Sequence, residues 1–220
     1  MSKYKIEMEL LTETIFGSGH SIPGSVDLEI VYDKHGFPFM KAKTFKGNLR
    51  ESMENSARIL GEGYDDIIKN LLGEKNYGVS SWENLRFSDC TINEKIRKVL
   101  GKSIDEGKIK PEEVKEALTD IRTFNSVEED GSTRDGSLRQ VRVIKKGLKF
   151  DVEIDCEREL PELELGLIAI SVKMLRHIGT MRTRGKGEVD CKFFVFENGE
   201  YADKTYNYID SVMKGVGLDV

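Results

Sequence analysis

Two stretches of this 220-residue chain combine cations and glycines at a spacing suited to holding phosphate. In Gly179-Thr-Met-Arg182-Thr-Arg184-Gly185-Lys186-Gly187, three glycines let the backbone approach a sugar-phosphate chain closely, and Arg182, Arg184 and Lys186 supply charge. In Lys41-Ala-Lys43-Thr-Phe-Lys46-Gly47-Asn-Leu-Arg50, four cations and a glycine open a predicted helix, whose free N–H groups and dipole favour an anion. Arg139 and Arg142 lie in Leu138-Arg-Gln-Val-Arg-Val, a third basic segment. Two carboxylates complete the inventory. Asp27 and Glu29 fall on one face of residues 25–32 while Val26, Leu28 and Ile30 fall on the other, because side chains alternate across an extended chain.

The formal net charge of −5 argues against a polyanion ligand until its distribution is read. Residues 34–50, 139–149 and 173–186 each hold five Lys or Arg and no Asp or Glu, so 42 residues carry 15 of the 34 basic groups and none of the 39 acidic ones. Such segregation predicts a basic groove on an acidic body, where local potential matters more than the total.

The elements that must position these residues follow from periodicity. Tyr4, Ile6, Met8 and Leu10 alternate as a half-buried strand over 3–12. Phe45, Leu49, Met53, Ala57 and Leu60 space a helix that Thr44 would cap. A short helix over 65–72 stops at Gly73, and 84–92 reads as a strand. Residues 93–101 and 111–121 are predicted helices, the second with Pro111 in its first turn. A polar, glycine-punctuated excursion runs from Arg122 to Ser137 and leads into strands over 138–145 and 148–157, with a turn at Lys146-Gly147. An apolar helix over 162–178 opens at Pro161 and ends at Gly179, a strand spans 188–196, and a weaker helix closes near 206–214. The order of 3–12, 44–60, 84–92, 148–157, 162–178 and 187–197 is β-α-β-β-α-β, the ferredoxin-like arrangement of an α+β protein.

Other classes are disfavoured by composition. With 38% apolar residues the chain can bury a core as one domain, and its 4 prolines and mixed charges do not suggest a disordered half. No run of about 18 apolar residues is present, so membrane insertion is not expected. Cys90, Cys156 and Cys191 are odd in number and lack metal-ligand spacing, which predicts buried thiols in a reducing cytoplasm.

The succession of signatures resembles one family. Gly17-x-Gly19, Gly24-Ser-Val-Asp27 and Asp33-Lys-His-Gly36-Phe-Pro38 lead into Ala42-Lys-Thr-Phe-Lys46-Gly47-Asn-Leu-Arg50-Glu. Leu72-Gly73, Leu85-Arg-Phe-Ser-Asp89, Leu138-Arg139-Gln-Val-Arg142-Val and Ile178-Gly179-Thr-Met-Arg182-Thr-Arg184-Gly185-Lys-Gly187 follow in order. This resembles the RAMP superfamily of CRISPR-associated proteins, and within it the repeated backbone subunit of type III (Csm and Cmr) effector complexes. Lys41-Ala-Lys43 stands where Pro-Gly-Ser is common in that group, which leaves the subtype open.

The resemblance implies a single RAMP domain over 1–220 with a ferredoxin-like, RRM-related core, an inserted helical segment over about 93–121 and a projecting thumb hairpin over about 122–143. It implies copies stacked along a guide RNA beside other effector subunits, with target RNA cleaved at regular intervals. Under it, RNA backbone contacts fall to Lys41, Lys43, Lys46, Gly47, Arg50, Arg139, Arg142, Gly179, Arg182, Arg184, Gly185, Lys186 and Gly187. Phe124, Val141 or Val143 would be the thumb's apolar wedge, and Asp27 the catalytic carboxylate, helping to hold a divalent metal such as Mg²⁺ shared with RNA. Two alternatives remain: a scaffold that binds without cutting, and a metal-independent guide-processing nuclease using His20 as general acid or base.

Overall fold

In the computed structural model, which describes residues 2–61, 63–74, 84–125 and 137–215, the predicted alternation in the first strand becomes the centre of a sheet. In β1 (Ser2–Leu10), Tyr4, Ile6, Met8 and Leu10 are buried and the intervening residues face the other way. A meandering segment with isolated bridges then reaches β2 (Phe39–Met40), α1 (Ala42–Leu60) and α2 (Tyr64–Leu72). The predicted strand at 84–92 is broken at Ser88-Asp89 into β3 (Arg86–Phe87) and β4 (Cys90–Ile92).

Two helices, α3 (Glu94–Asp105) and α4 (Pro111–Leu118), precede a two-stranded sheet of β5 (Thr119–Phe124) and β6 (Arg139–Ile144). The chain continues through β7 (Lys149–Cys156), α5 (Glu162–Met174), a short 3-10 turn (Arg182–Arg184), β8 (Val189–Glu197), β9 (Glu200–Asp203) and α6 (Thr205–Gly215). The main sheet runs β2-β4-β7-β1-β8-β9, with β3 also on β7, and every pairing is antiparallel. Phe150, Val152 and Ile154 of β7 and Cys191 and Phe193 of β8 join the core, as do Phe45, Leu49 and Met53 of α1 and Leu167 and Ile168 of α5. The fold is mixed α+β on a largely antiparallel sheet.

All three cysteines are buried thiols outside any disulfide. Burial pushes the Cys191 thiol up to about 12, so it packs as a small apolar group. No helix among the described residues is long and apolar enough to cross a membrane.

Several boundaries differ from the periodicity, each for a local reason. Helix α1 starts at Ala42, two residues before Thr44, because the carboxylate of Asp89 accepts the Ala42 N–H at 2.7 Å. Helix α5 ends at Met174, so Gly179 is not its cap. A Cβ at Gly179 would lie 2.4 Å from the Ile15 carbonyl oxygen, and one at Gly187 would lie 2.0 Å from that of Ile178. Both glycines, at φ 83° and 80°, are therefore set by close backbone packing. Residues 25–32 form no continuous strand, and Glu29, expected on a solvated face, is buried. Strand β9, which the periodicity does not predict, follows a tight turn at Asn198-Gly199, both at positive φ, as an Asn-Gly hairpin requires.

Candidate nucleic-acid interface

The segments that sequence keeps far apart meet on one concave face. A cavity of about 420 Å³ is lined by Phe16, Gly17 and Ser18, by Lys41, Thr44 and Asn48 at the start of α1, and by Gly179, Thr180 and Arg182. Its floor includes Ile15 and Met40, both buried. A shallower hollow of about 190 Å³ continues from Asn48 and Arg182 to Asn55, Arg176 and His177. The glycine loop is fastened here by its backbone: Thr180 N–H donates to the Ile15 carbonyl at 3.1 Å and Gly187 N–H to that of Glu13 at 2.9 Å.

The cations divide into free and committed groups. Lys41, Lys43, Arg139 and Arg184 are exposed, and no ion pair or side-chain hydrogen bond engages them among the described residues. Arg182 is exposed beside Glu51, at 3.6 Å. Gly185 and Gly47 are exposed with open space at their Cα. Arg50 instead donates to the carbonyls of Leu72 (2.8 Å) and Gly73 (2.6 Å), closing the end of α2. Lys46 lies over the Phe87 ring at 6.0 Å, on the Arg50 side of α1. Burial, then repulsion from Arg50, lowers its pKa from the ordinary lysine value, a shift that an incoming anion would oppose. At the mouth of α1, Asp89 already occupies one of the N–H groups expected to meet phosphate.

Two predicted RNA contacts point inward. Arg142 is 13% exposed and reaches Glu29 at 3.0 Å, and its NH1 donates to the Thr119 hydroxyl at 3.2 Å. Lys186 is 18% exposed and bound to Glu13 at 2.5 Å. The wedge assignment also changes. Val141 and Val143 are buried, because these alternate residues of β6 face the body and pack into the core. They anchor the hairpin and cannot project from it. Phe124 is half-buried against the core, and residues 126–136 of the predicted thumb lie outside the described residues.

Asp27 sits at the root of this hairpin. Its backbone N–H donates to the Gln140 carbonyl at 2.8 Å, and its carboxylate accepts the Gln140 N–H at 2.7 Å. The side chain is otherwise exposed, so one oxygen is committed and the other remains open to solvent. Glu29, two residues on, is 5% exposed and does something different. It ties Arg142 of β6 and Lys115 of α4 (3.3 Å) into a buried ion triad, with Lys115 stacked over Tyr32 at 4.1 Å. Sequence reasoning singles out Asp27 and misses this triad, since only tertiary packing turns Glu29 inward. His20 is exposed, and its imidazole has no hydrogen-bond or ion-pair partner among the described residues.

No three His, Cys, Asp or Glu gather into a metal-sized group among the described residues. The donor set fits a divalent cation only as a single carboxylate ligand at Asp27, with the rest of its shell from nucleic-acid oxygens and water.

A profile of the RAMP superfamily matches residues 7–190. The chain belongs to that superfamily. No curated protein matches it significantly. In fold, this RAMP chain is similar to a chain in a cryo-EM structure of the type III-B Cmr-beta bound to cognate target RNA. That match has a TM-score of 0.64 at 15% identity over 87% of this chain and 96% of the other. A chain of the type III-B Cmr-beta in its apo state gives 0.64 at 14% identity over 90% and 98%. At these identities the likeness is one of fold.

Proposed function

We propose that this RAMP chain is a guide-RNA-binding backbone subunit of a type III CRISPR effector complex, supporting cleavage of complementary target RNA through Asp27. The observation that carries the reading is the convergence of residues 16–18, the start of α1 and residues 179–182 on one cavity whose rim carries exposed cations. The strand neighbours β8-β1-β7-β4, with α1 and α5 contributing to the core, support a ferredoxin-like core, and β5 and β6 support the base of a thumb.

Lys41, Arg182 and Arg184 neutralise successive phosphates, and the glycine loop admits the backbone without reading bases, which leaves sequence to base pairing. Copies of the chain, other subunits, guide and target RNA are the partners in this reading. Asp27, held at the hairpin root by Gln140, presents one free carboxylate oxygen where a kinked strand passes. A divalent cation such as Mg²⁺ would supply charge stabilisation on the scissile phosphate.

A second reading has its own support. The Asp27 carboxylate accepts a backbone N–H, so it has a structural task, and a scaffold that binds without cutting would also retain it. Asp27→Asn separates the two, because the amide oxygen still accepts from Gln140 while the charge is lost. In a guide-loaded assembly with Mg²⁺, labelled complementary RNA is expected to be cut at regular intervals by the wild type. With Asp27→Asn, cutting is expected to fall at least about a hundredfold with guide occupancy intact. Unchanged cutting would assign the chemistry elsewhere, and cutting that persists in EDTA would point to His20.

A further inference from the structure

Segment 12–15 runs between the glycine loop and the hairpin and is hydrogen-bonded to both. Thr14 exchanges N–H···O bonds with Ile144 of β6 at 3.1 and 2.7 Å, and the Glu13 and Ile15 carbonyls accept from Gly187 and Thr180. At its centre the Glu13 carboxylate, 18% exposed, collects two cations from opposite sides. One oxygen accepts Nε (2.8 Å) and NH2 (2.6 Å) of Arg122 on β5, and the other accepts Nζ of Lys186 at 2.5 Å. Asp120 lies 3.4 Å from the same guanidinium, with Lys145 at 4.0 Å from Asp120.

We infer that Arg122 and Lys186 form a phosphate site between hairpin and loop, and that Glu13 occupies it as an internal anion until an RNA phosphate displaces its carboxylate. The inference rests on the RNA-binding reading above. Two cations converging within hydrogen-bond reach of one carboxylate are also spaced to share one phosphate, the oxyanion that Arg and Lys bind in the same way. The site adjoins exposed Arg182 and Arg184, so a backbone lying along the loop reaches it without leaving the basic face. Exchanging Glu13 for phosphate breaks the bridge between segment 12–15 and β5, so occupancy of the site is coupled to how firmly the hairpin is held.

The test is the affinity of the full chain for a fluorescein-labelled single-stranded RNA of mixed sequence, measured by anisotropy across a range of KCl concentrations. Glu13→Gln removes the competing charge and is expected to bind about two- to fivefold tighter, the scale of one partly exposed ion pair. The Arg122→Ala, Lys186→Ala double variant is expected to bind more weakly, with a log–log salt slope shallower by about 0.7 because one phosphate is no longer neutralised. Adding Glu13→Gln to that double variant should then give no gain. Wild-type binding with an unchanged or weaker Glu13→Gln, at native circular dichroism, would overturn the inference and leave RNA binding standing. Absence of RNA binding in the wild type and in Glu13→Gln alike would overturn both. If Glu13→Gln does not fold, the double variant decides: weaker binding with the shallower slope supports the site, and unchanged binding removes it.

Discussion

Asp27 and Glu13 are both carboxylates for which the proposed roles assign one task to charge and another to hydrogen bonds, and substitutions must keep the two apart. For Asp27 the amide variant preserves the clamp on Gln140, whereas alanine would loosen β6 and confound chemistry with geometry. For Glu13, the Arg122 hydrogen bonds, opposed by burial and aided by Lys186, hold the carboxyl below its ordinary value of 4.5. A folded-state pKa below the unfolded one stabilises the fold fully above about pH 4.5 and is lost as pH falls through the lower, folded value. Glu13→Gln is therefore expected to flatten the acid limb of thermal stability below about pH 4.5, leaving the slope at neutral pH unchanged, in melts followed by circular dichroism. An acid limb identical to the wild type's would mean the pair contributes nothing to folding.

At the scale of elements, the base of the hairpin is held by charge as well as by Val141 and Val143. Glu29, Arg142 and Lys115 connect the Asp27 segment, β6 and α4, all three largely buried. Removing one partner leaves the others desolvated without a counter-ion, so Glu29→Gln should cost about 3 kcal/mol in urea unfolding. Amide exchange in β5 and β6 is expected to rise before that in β1. A loss confined to the main sheet would contradict the assignment.

The triad also shows what sequence reasoning can and cannot reach. Period-2 burial in β1 and i, i+4 burial in α1 are legible because each element buries its own regular face. Local pattern places β5 at the end of a helix followed by an excursion, since its partner β6 begins fifteen residues after Phe124 and pairing is what makes it a strand. Alternation puts Glu29 beside Asp27 on a polar face, but the chain there leaves regular strand geometry and only Asp27 stays outside. Likewise the cations are countable from the sequence. Which of them serve as internal ties, Arg50, Arg142 and Lys186 among them, depends on carbonyls and carboxylates brought in from elsewhere.

At the scale of the whole molecule, the proposed function has an acidic chain hold a polyanion by gathering exposed cations on one face. The helix-free face of the main sheet is unsuited to that task. Glu7 and Glu9 of β1 and Asp151, Glu153 and Asp155 of β7 project on the side opposite the core, and Lys5, Lys149 and Lys192 on that face are paired with carboxylates. Its aromatic rings Phe194 and Tyr201 are already covered by Lys5 Nζ, at 4.8 and 5.3 Å. Burial, and then Glu153 and Asp155, raise the Tyr201 pKa, as expected of a phenol in negative surroundings. In the proposed function, RNA lies instead at the cavity between the glycine segment, α1 and the 179–187 loop. The most direct test compares RNA affinity and its salt dependence for Arg184→Ala on the loop with Lys192→Ala on the sheet face. Arg184→Ala is expected to weaken binding evenly across RNA sequences and to reduce the log–log salt slope by about 0.7, while Lys192→Ala changes neither. Loss of binding on Lys192→Ala with Arg184→Ala indifferent would place the RNA on the sheet and contradict a groove at the glycine loop.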